Sequence, residues 1–179
     1  MVIVVEVPEA AVLLIHRRDT LTYHAGQIAC PGGSYDPRLD RSLWDTAVRE
    51  TREEVGIAIT RRFFCGFLDP VHIVVTGFTI APAVAVMPTP PAIILDQGEV
   101  SSYQWVSLAE LRQVRRMSRV LLGGASYRMP EFPLHWGRLW GATARIIDQL
   151  LRVVDDSGQH NGNVGEEEVG GGNPQTFSH

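Results

Sequence analysis

The sequence predicts a single α/β domain, and three observations carry that prediction. Short apolar runs rich in valine and isoleucine recur through the first two thirds of the chain. Two longer stretches, near 40–55 and 136–154, have helical apolar spacing instead. Hydrophobic content is 45% and charged content 20% over 179 residues, enough for one domain with a sizeable core.

The elements follow in order. Residues 2–6 and 11–16 are β-rich runs separated by Pro8-Glu9-Ala10 and predict a hairpin. Residues 18–39 hold Gly, Pro and Asp clusters and predict a long ordered loop. Asp40 is the expected N-cap of a helix running to Val55, where Gly56 ends it. Leu43, Ala47, Thr51 and Val55 recur at i+4 on that helix, with Trp44 and Val48 widening the apolar stripe. Strands are expected over 62–68, 71–76 and 78–86, broken at Asp69-Pro70 and Gly77. A proline-containing loop spans 88–98, and a strand follows from Val100 to Val106. Ser107 is placed to cap a short helix beginning Leu108-Ala109-Glu110-Leu111. Residues 123–133 are expected to be irregular, and Trp136 to Val154 to form the closing helix. From Asp155 onward Gly, Asn, Gln and Glu dominate, so the domain is placed at 1–154 and a disordered tail at 155–179.

Composition narrows the function. A formal net charge of −4 gives no sign of a nucleic-acid or membrane-surface binder. No apolar run approaches the roughly 20 residues of a membrane span, and the start lacks the pattern of a signal peptide. Two cysteines, Cys30 and Cys65, are too few for a disulfide framework, so a cytoplasmic location is expected. All 16 basic residues are arginine, so any cationic phosphate contact on a side chain is arginine.

The chemistry is concentrated at Arg49-Glu50-Thr51-Arg52-Glu53-Glu54-Val55-Gly56. Glu50, Glu53 and Glu54 stand at i, i+3 and i+4 and share one helix face. Like charges at that spacing repel, and a divalent cation such as Mg²⁺ or Mn²⁺ would remove the conflict while bridging to substrate phosphates. The competing interpretation is a solvated helix face, with Arg49 pairing Glu53 across one turn.

This segment resembles the Nudix box, matching it at Arg49, Glu50, Glu53, Glu54, Gly56 and Ile57, with Pro31-Gly32-Gly33 upstream. Thr51 stands where the pattern has an apolar residue. Arg41 stands at its early glutamate, and the Gly33-to-Arg49 spacing is two residues longer. The resemblance implies an α/β/α sandwich with a mixed β-sheet. It further implies a metal held by Glu50, Glu53, Glu54 and the Gly32 carbonyl, with Arg49 fixing the carboxylates. One of the glutamates, Glu50 or Glu53 among them, would act as general base. Glu99 is a candidate additional carboxylate for metal or water, or else an ordinary strand-edge glutamate.

The run from Leu13 to Gly33 is similar to the signature of the coenzyme A pyrophosphatase branch of that family. Arg17, Gly26 and Pro31-Gly32-Gly33 fall in place, His24-x-Gly26-Gln27 matches too, and Ile15, Arg18, Thr22 and Cys30 depart. The resemblance covers about residues 8–152 and implies cleavage of coenzyme A to 3′,5′-ADP and 4′-phosphopantetheine. Under it Arg17 is the candidate phosphate contact, and His24, Gly26 and Gln27 are candidate substrate contacts. Arg112, Arg115, Arg116 and Arg119 could hold a 3′-phosphate or form a solvated helix face. Trp136 and Trp140 could stack on adenine or belong to the core, and Cys30 is expected to be a buried apolar residue. The alternatives are hydrolysis of another nucleoside diphosphate derivative, such as ADP-ribose or a dinucleoside polyphosphate, and a Nudix-fold ligand sensor without turnover. The expected partner is a small-molecule nucleotide, not nucleic acid or membrane, and a homodimer is left open.

Overall fold

The computed structural model describes residues 1–21, 24–74 and 76–161. The chain runs β1 (Val2–Val5), β2 (Ala11–Arg17), β3 (Ile28–Ala29), α1 (Leu43–Val55), β4 (Phe64–Phe67), β5 (Val71–His72) and β6 (Thr79–Ile80). It continues through β7 (Ala83–Met87), β8 (Val100–Ser107), α2 (Leu108–Val114), β9 (Arg116–Leu122), β10 (Ala125–Leu134), β11 (Gly137–Leu139) and α3 (Gly141–Asn161).

Among the described residues, six strands form a mixed sheet in the order β3-β2-β1-β7-β4, with β8 on the free edge of β2. β1 lies parallel to β7, pairing Ile3 with Ala85, and antiparallel to β2, pairing Val4 with Val12. The sheet is covered on both faces, which is why β1 and β2 are unbroken apolar runs rather than alternating ones. Val2, Val4, Val12 and Leu14 pack with α2, α3 and β10, while Ile3, Val5, Leu13 and Ile15 pack with Ala47 and Val55 of α1. This is the α/β/α sandwich expected from the sequence.

Phe132 is fully buried where β10 meets α3 and β11. Phe132→Ala is expected to cost about 3–5 kcal/mol, seen as a lower urea midpoint at unchanged slope.

The glutamate helix begins two residues later than its sequence implies. Ser42, not Asp40, is the N-cap, its Oγ accepting from the Asp45 amide at 3.2 Å. Asp40 is withdrawn from that role because its carboxylate is taken up by Arg49. Gly56 ends the helix in the left-handed conformation (φ 72°) that favours glycine, and its N–H bonds the Arg52 carbonyl. Thr51 is fully buried, with no hydrogen-bond partner for its hydroxyl among the described residues, so it occupies a core position as an apolar residue would.

Other boundaries move. Residues 61–63 form a 3₁₀ turn before β4, and the strands expected over 71–76 and 78–86 shrink to the short β5–β6 pair and β7. Residues 123–133 are not irregular. β9 and β10 form a long hairpin whose turn, Gly123-Gly124, has φ of 57° and 82°. Two positive φ values in a two-residue loop match the right-handed twist of the flanking strands. The closing helix starts at Gly141 because Gly137–Leu139 pairs with β10 instead. That helix continues through Asp155 to Asn161. The rest of the expected tail (162–179), Thr22 and Val75 lie outside the described residues. No helix among the described residues is long and apolar enough to cross a membrane.

Candidate functional site

Two arginines organise the carboxylates beside the glycine turn. Arg49 Nε and Nη2 donate to the two oxygens of Asp40, each at 2.9 Å. Arg49 Nη1 donates to Glu50 at 2.7 Å and Glu53 at 3.0 Å, and Nη2 reaches the Ser34 carbonyl at 3.3 Å. Asp40 is buried and also accepts from the Thr46 hydroxyl (2.9 Å) and the Asp36 amide (3.0 Å). Hydrogen bonds from Arg49 hold its carboxyl well below the usual range, and Asp40 in turn pushes the guanidinium pKa up. Arg49 therefore has its fork fixed to one buried acid while its remaining donor draws Glu50 and Glu53 together.

The second hub is Arg17, at the end of β2. Its Nη1 donates to Glu54 Oε1 at 2.8 Å, and its Nη2 lies 3.9 Å from Glu99. Glu54 is 2% exposed, and its other oxygen accepts the Gly32 amide at 2.8 Å. Burial pushes its carboxyl up to about 7, and the Gly32 amide and Arg17 offset this only in part. Gly32 thus meets Glu54 through its N–H.

Close approach explains the second glycine of the turn. A Cβ on Gly33 would lie 2.2 Å from Glu50 Oε2. Gly33→Ala is expected to displace Glu50 and lower activity by about 10–100-fold, with little change in melting temperature because Gly33 is exposed. Steady-state kinetics and a thermal melt of the same sample check this.

The loop after β2 is tied back to the site. Arg17 N–H bonds the Gln27 carbonyl at 3.0 Å, and His24 Nδ1 lies 3.1 Å from Gln27 Oε1. His24 has a left-handed φ of 56°, and a Cβ on Gly26 would meet the Asp19 carboxylate at 2.4 Å. Glu99 is anchored by its carbonyl, which accepts the Arg18 amide at 2.9 Å. Residues 93–99 strap the end of α1: Ile94 N–H bonds the Val55 carbonyl and Asp96 N–H bonds the Glu54 carbonyl, each at 3.0 Å. An open cleft of about 570 Å³ lies alongside, lined by residues 34–39, Arg49 and Glu50.

Some expected groupings do not form. Among the described residues no three His, Cys, Asp or Glu side chains converge on one point. Glu50 and Glu53 turn to Arg49, and Glu54 turns to Arg17. The donor set is nevertheless the right chemistry for a hard divalent cation, being three carboxylates on one helix edge against a glycine cradle. The arginine run splits: Arg112 lies in the last turn of α2 and Arg115 caps it, Arg116 and Arg119 lie on β9, and Arg112, Arg115 and Arg116 are paired with Asp155, Asp148 and Glu131. Trp136 meets His16 edge-on, with ring centroids 6.1 Å apart, and Trp140 is half-exposed under the Arg138 guanidinium. Cys30 is half-buried against the apolar core, as expected. Sequence reasoning missed Asp40 as the anchor of Arg49; the signal was its place beside Arg41, where the box has its early glutamate.

A NUDIX-domain profile matches residues 1–122. The chain belongs to the Nudix family. The Nudix hydrolase NudL of Yersinia enterocolitica, itself uncharacterised, is 35% identical over 153 residues, covering 83% of this chain and 76% of that one. The NudL protein of Cronobacter sakazakii, likewise uncharacterised, is 37% identical over 161 residues, covering 87% and 81%. Solved Nudix structures share the fold. The NUDIX domain of Shewanella oneidensis NrtR, complexed with ADP-ribose, superposes with a TM-score of 0.61 at 20% identity, covering 86% of this chain and 84% of that one. A MutT/nudix family protein from Enterococcus faecalis gives 0.59 at 20% identity, covering 87% and 60%. Nudix hydrolases generally use divalent metal ions, in keeping with the donor set on α1.

Proposed function

We propose that this Nudix hydrolase cleaves the diphosphate bond of coenzyme A or a derivative, giving 3′,5′-ADP and 4′-phosphopantetheine. The observation that carries the reading is the placement of Arg17. The arginine of the pre-box signature lies 2.8 Å from the innermost glutamate of the box, which supports reading the candidate phosphate contact and the candidate metal ligand as neighbours.

In this reading Glu50, Glu53, Glu54 and the Gly32 carbonyl would hold Mg²⁺ or Mn²⁺. The cation, when bound, neutralises phosphate charge and lowers the pKa of a water. Arg17 transfers a donor from Glu54 to a phosphate oxygen, and Arg49 keeps Glu50 and Glu53 aligned. Glu50 or Glu53 accepts the proton of the attacking water as its oxygen bonds one phosphorus. The bridging oxygen leaves on the other phosphate. Glu99, 3.9 Å from Arg17, would orient that water, and His24, Gly26 and Gln27 would contact the substrate. Two free cysteines, Cys30 and Cys65, agree with a cytoplasmic location.

The departures at Ile15, Arg18, Thr22 and Cys30 motivate a second reading with the same chemistry on another nucleoside diphosphate derivative, such as ADP-ribose. A competition assay decides between them. With coenzyme A, ADP-ribose and a diadenosine polyphosphate in one mixture, the proposal predicts that coenzyme A is consumed first. Cleavage of the others with coenzyme A intact would overturn the substrate assignment.

A further inference from the structure

We propose that Tyr35, with Leu39 beside it, forms the subsite for the nucleoside base of the substrate, which stacks in the cleft next to Glu50. This rests on the reading of the protein as a nucleotide-diphosphate hydrolase and names the group that the cleft selects.

Tyr35 differs from the other aromatic residue close to the glutamates in that nothing occupies its ring. It is 46% exposed, and among the described residues it makes no hydrogen bond and meets no other ring. Trp44 of α1, by contrast, packs on Phe64 with ring centroids 4.3 Å apart and is covered by the Arg61 guanidinium. Leu39 is 66% exposed, and Tyr35, Pro37 and Leu39 all line the cleft that Glu50 and Arg49 also line. Single exposed apolar residues are ordinary on a surface, whereas these share one concave site with the candidate metal ligand.

The loop is held on both sides of the ring. Just before Tyr35, the Ser34 carbonyl accepts from Arg49 Nη2 at 3.3 Å. Just after it, the Asp36 amide donates to Asp40 Oδ2 at 3.0 Å, and the Asp36 carbonyl accepts the Leu39 and Asp40 amides at 3.0 and 2.8 Å. The backbone flanking Tyr35 is therefore tied to the Arg49–Asp40 pair, the same pair that sets Glu50 and Glu53. A platform fixed in this way loses little freedom when a ligand lands on it.

The chemistry of the lining selects the occupant. At about 570 Å³ the cleft is in the range of small-molecule sites. A diphosphate held at Glu50 lies in the same cleft as Tyr35, so a group attached to it reaches the ring without crossing the sheet. Arg38 offers nothing to a further phosphate, because its fork is closed on Asp36 at 3.0 and 2.7 Å. An exposed phenol ring offers a flat π-face, and a base stacks on such a face without needing a hydrogen-bond partner on the protein.

Calorimetric titration without metal tests this, comparing 5′-AMP with ribose 5-phosphate, which carries a hydroxyl in place of the base. The wild type should bind AMP about tenfold or more tightly. Tyr35→Ala should bring that ratio to near one, and Tyr35→Phe, which keeps the ring, should hold it within about threefold of wild type. Both variants replace an exposed side chain, so the fold is kept. Equal binding of the two ligands by wild type, or a ratio that Tyr35→Ala leaves unchanged, would overturn the subsite. A ratio lost equally in Tyr35→Phe would assign the contact to the hydroxyl and overturn stacking. A ratio that falls in Tyr35→Ala alone, in a protein that hydrolyses no nucleotide, would uphold the subsite and end the proposed function. Hydrolysis of coenzyme A with the ratio unmoved by Tyr35→Ala would do the reverse.

Discussion

Glu54→Gln is expected to lower turnover by at least about 100-fold, since changing groups that merely support a metal ligand already costs 10–100-fold. The same variant changes stability in a way a surface glutamate would not. Glu54 is buried, and its carboxyl is pushed up from 4.5 to about 7 in the metal-free fold. An acid with a raised folded pKa favours the folded state most when protonated. That stability is fully present below 4.5 and is lost as the pH rises towards 7. The difference corresponds to about 3 kcal/mol. Metal-free wild type should therefore lose stability between about pH 5 and pH 8, and Glu54→Gln should remove most of that slope. Urea unfolding at both pH values measures it. A slope unchanged in the variant would show that Glu54 is not the group responsible.

Asp40→Asn is the second large effect. Asp40 is buried behind the cleft lining, and it holds two of the Arg49 donors at 2.9 Å. Without that anchor Arg49 is free to rotate, and Glu50 and Glu53 lose their shared partner. Turnover should fall about 10–100-fold, mainly in kcat, with a weaker affinity for Mn²⁺. The melting temperature should also fall, because a buried guanidinium–carboxylate pair loses one member. Arg49 holds the Asp40 carboxyl below its ordinary value of 3.8, so this contribution is present above that value and lost as pH falls below it. Kinetics, Mn²⁺ titration and melts on one preparation would separate positioning from simple destabilisation. A lowered melting temperature with unchanged kcat would mean that Asp40 only supports the fold.

The glutamate helix was legible in sequence because its apolar positions repeat at i+4 and a left-handed glycine follows. β1 and β2 were legible because burial on both faces makes them unbroken apolar runs. Other features depend on which distant partner a side chain finds. Asp40 looks like a cap, but an arginine nine residues on competes for its carboxylate and wins with two hydrogen bonds. The β9–β10 hairpin was hidden by Pro130 and Pro133, residues that ordinarily argue against a strand, although Gly123-Gly124 was a proper hairpin turn. The arginine run looked continuous because nothing local marks the switch from α2 to β9 after Val114. The glutamates' common face was predictable from spacing. Their division between Arg49 and Arg17 was not, because Arg17 arrives from a strand 37 residues away.

The α1 carboxylates are proposed to support metal-dependent cleavage of a nucleotide diphosphate. Mass spectrometry of products from coenzyme A, incubated with wild type in Mg²⁺ and in excess chelator, tests it most directly. 4′-Phosphopantetheine and 3′,5′-ADP are expected with Mg²⁺ and neither with chelator. Products formed equally in both, or intact substrate in both, would contradict it.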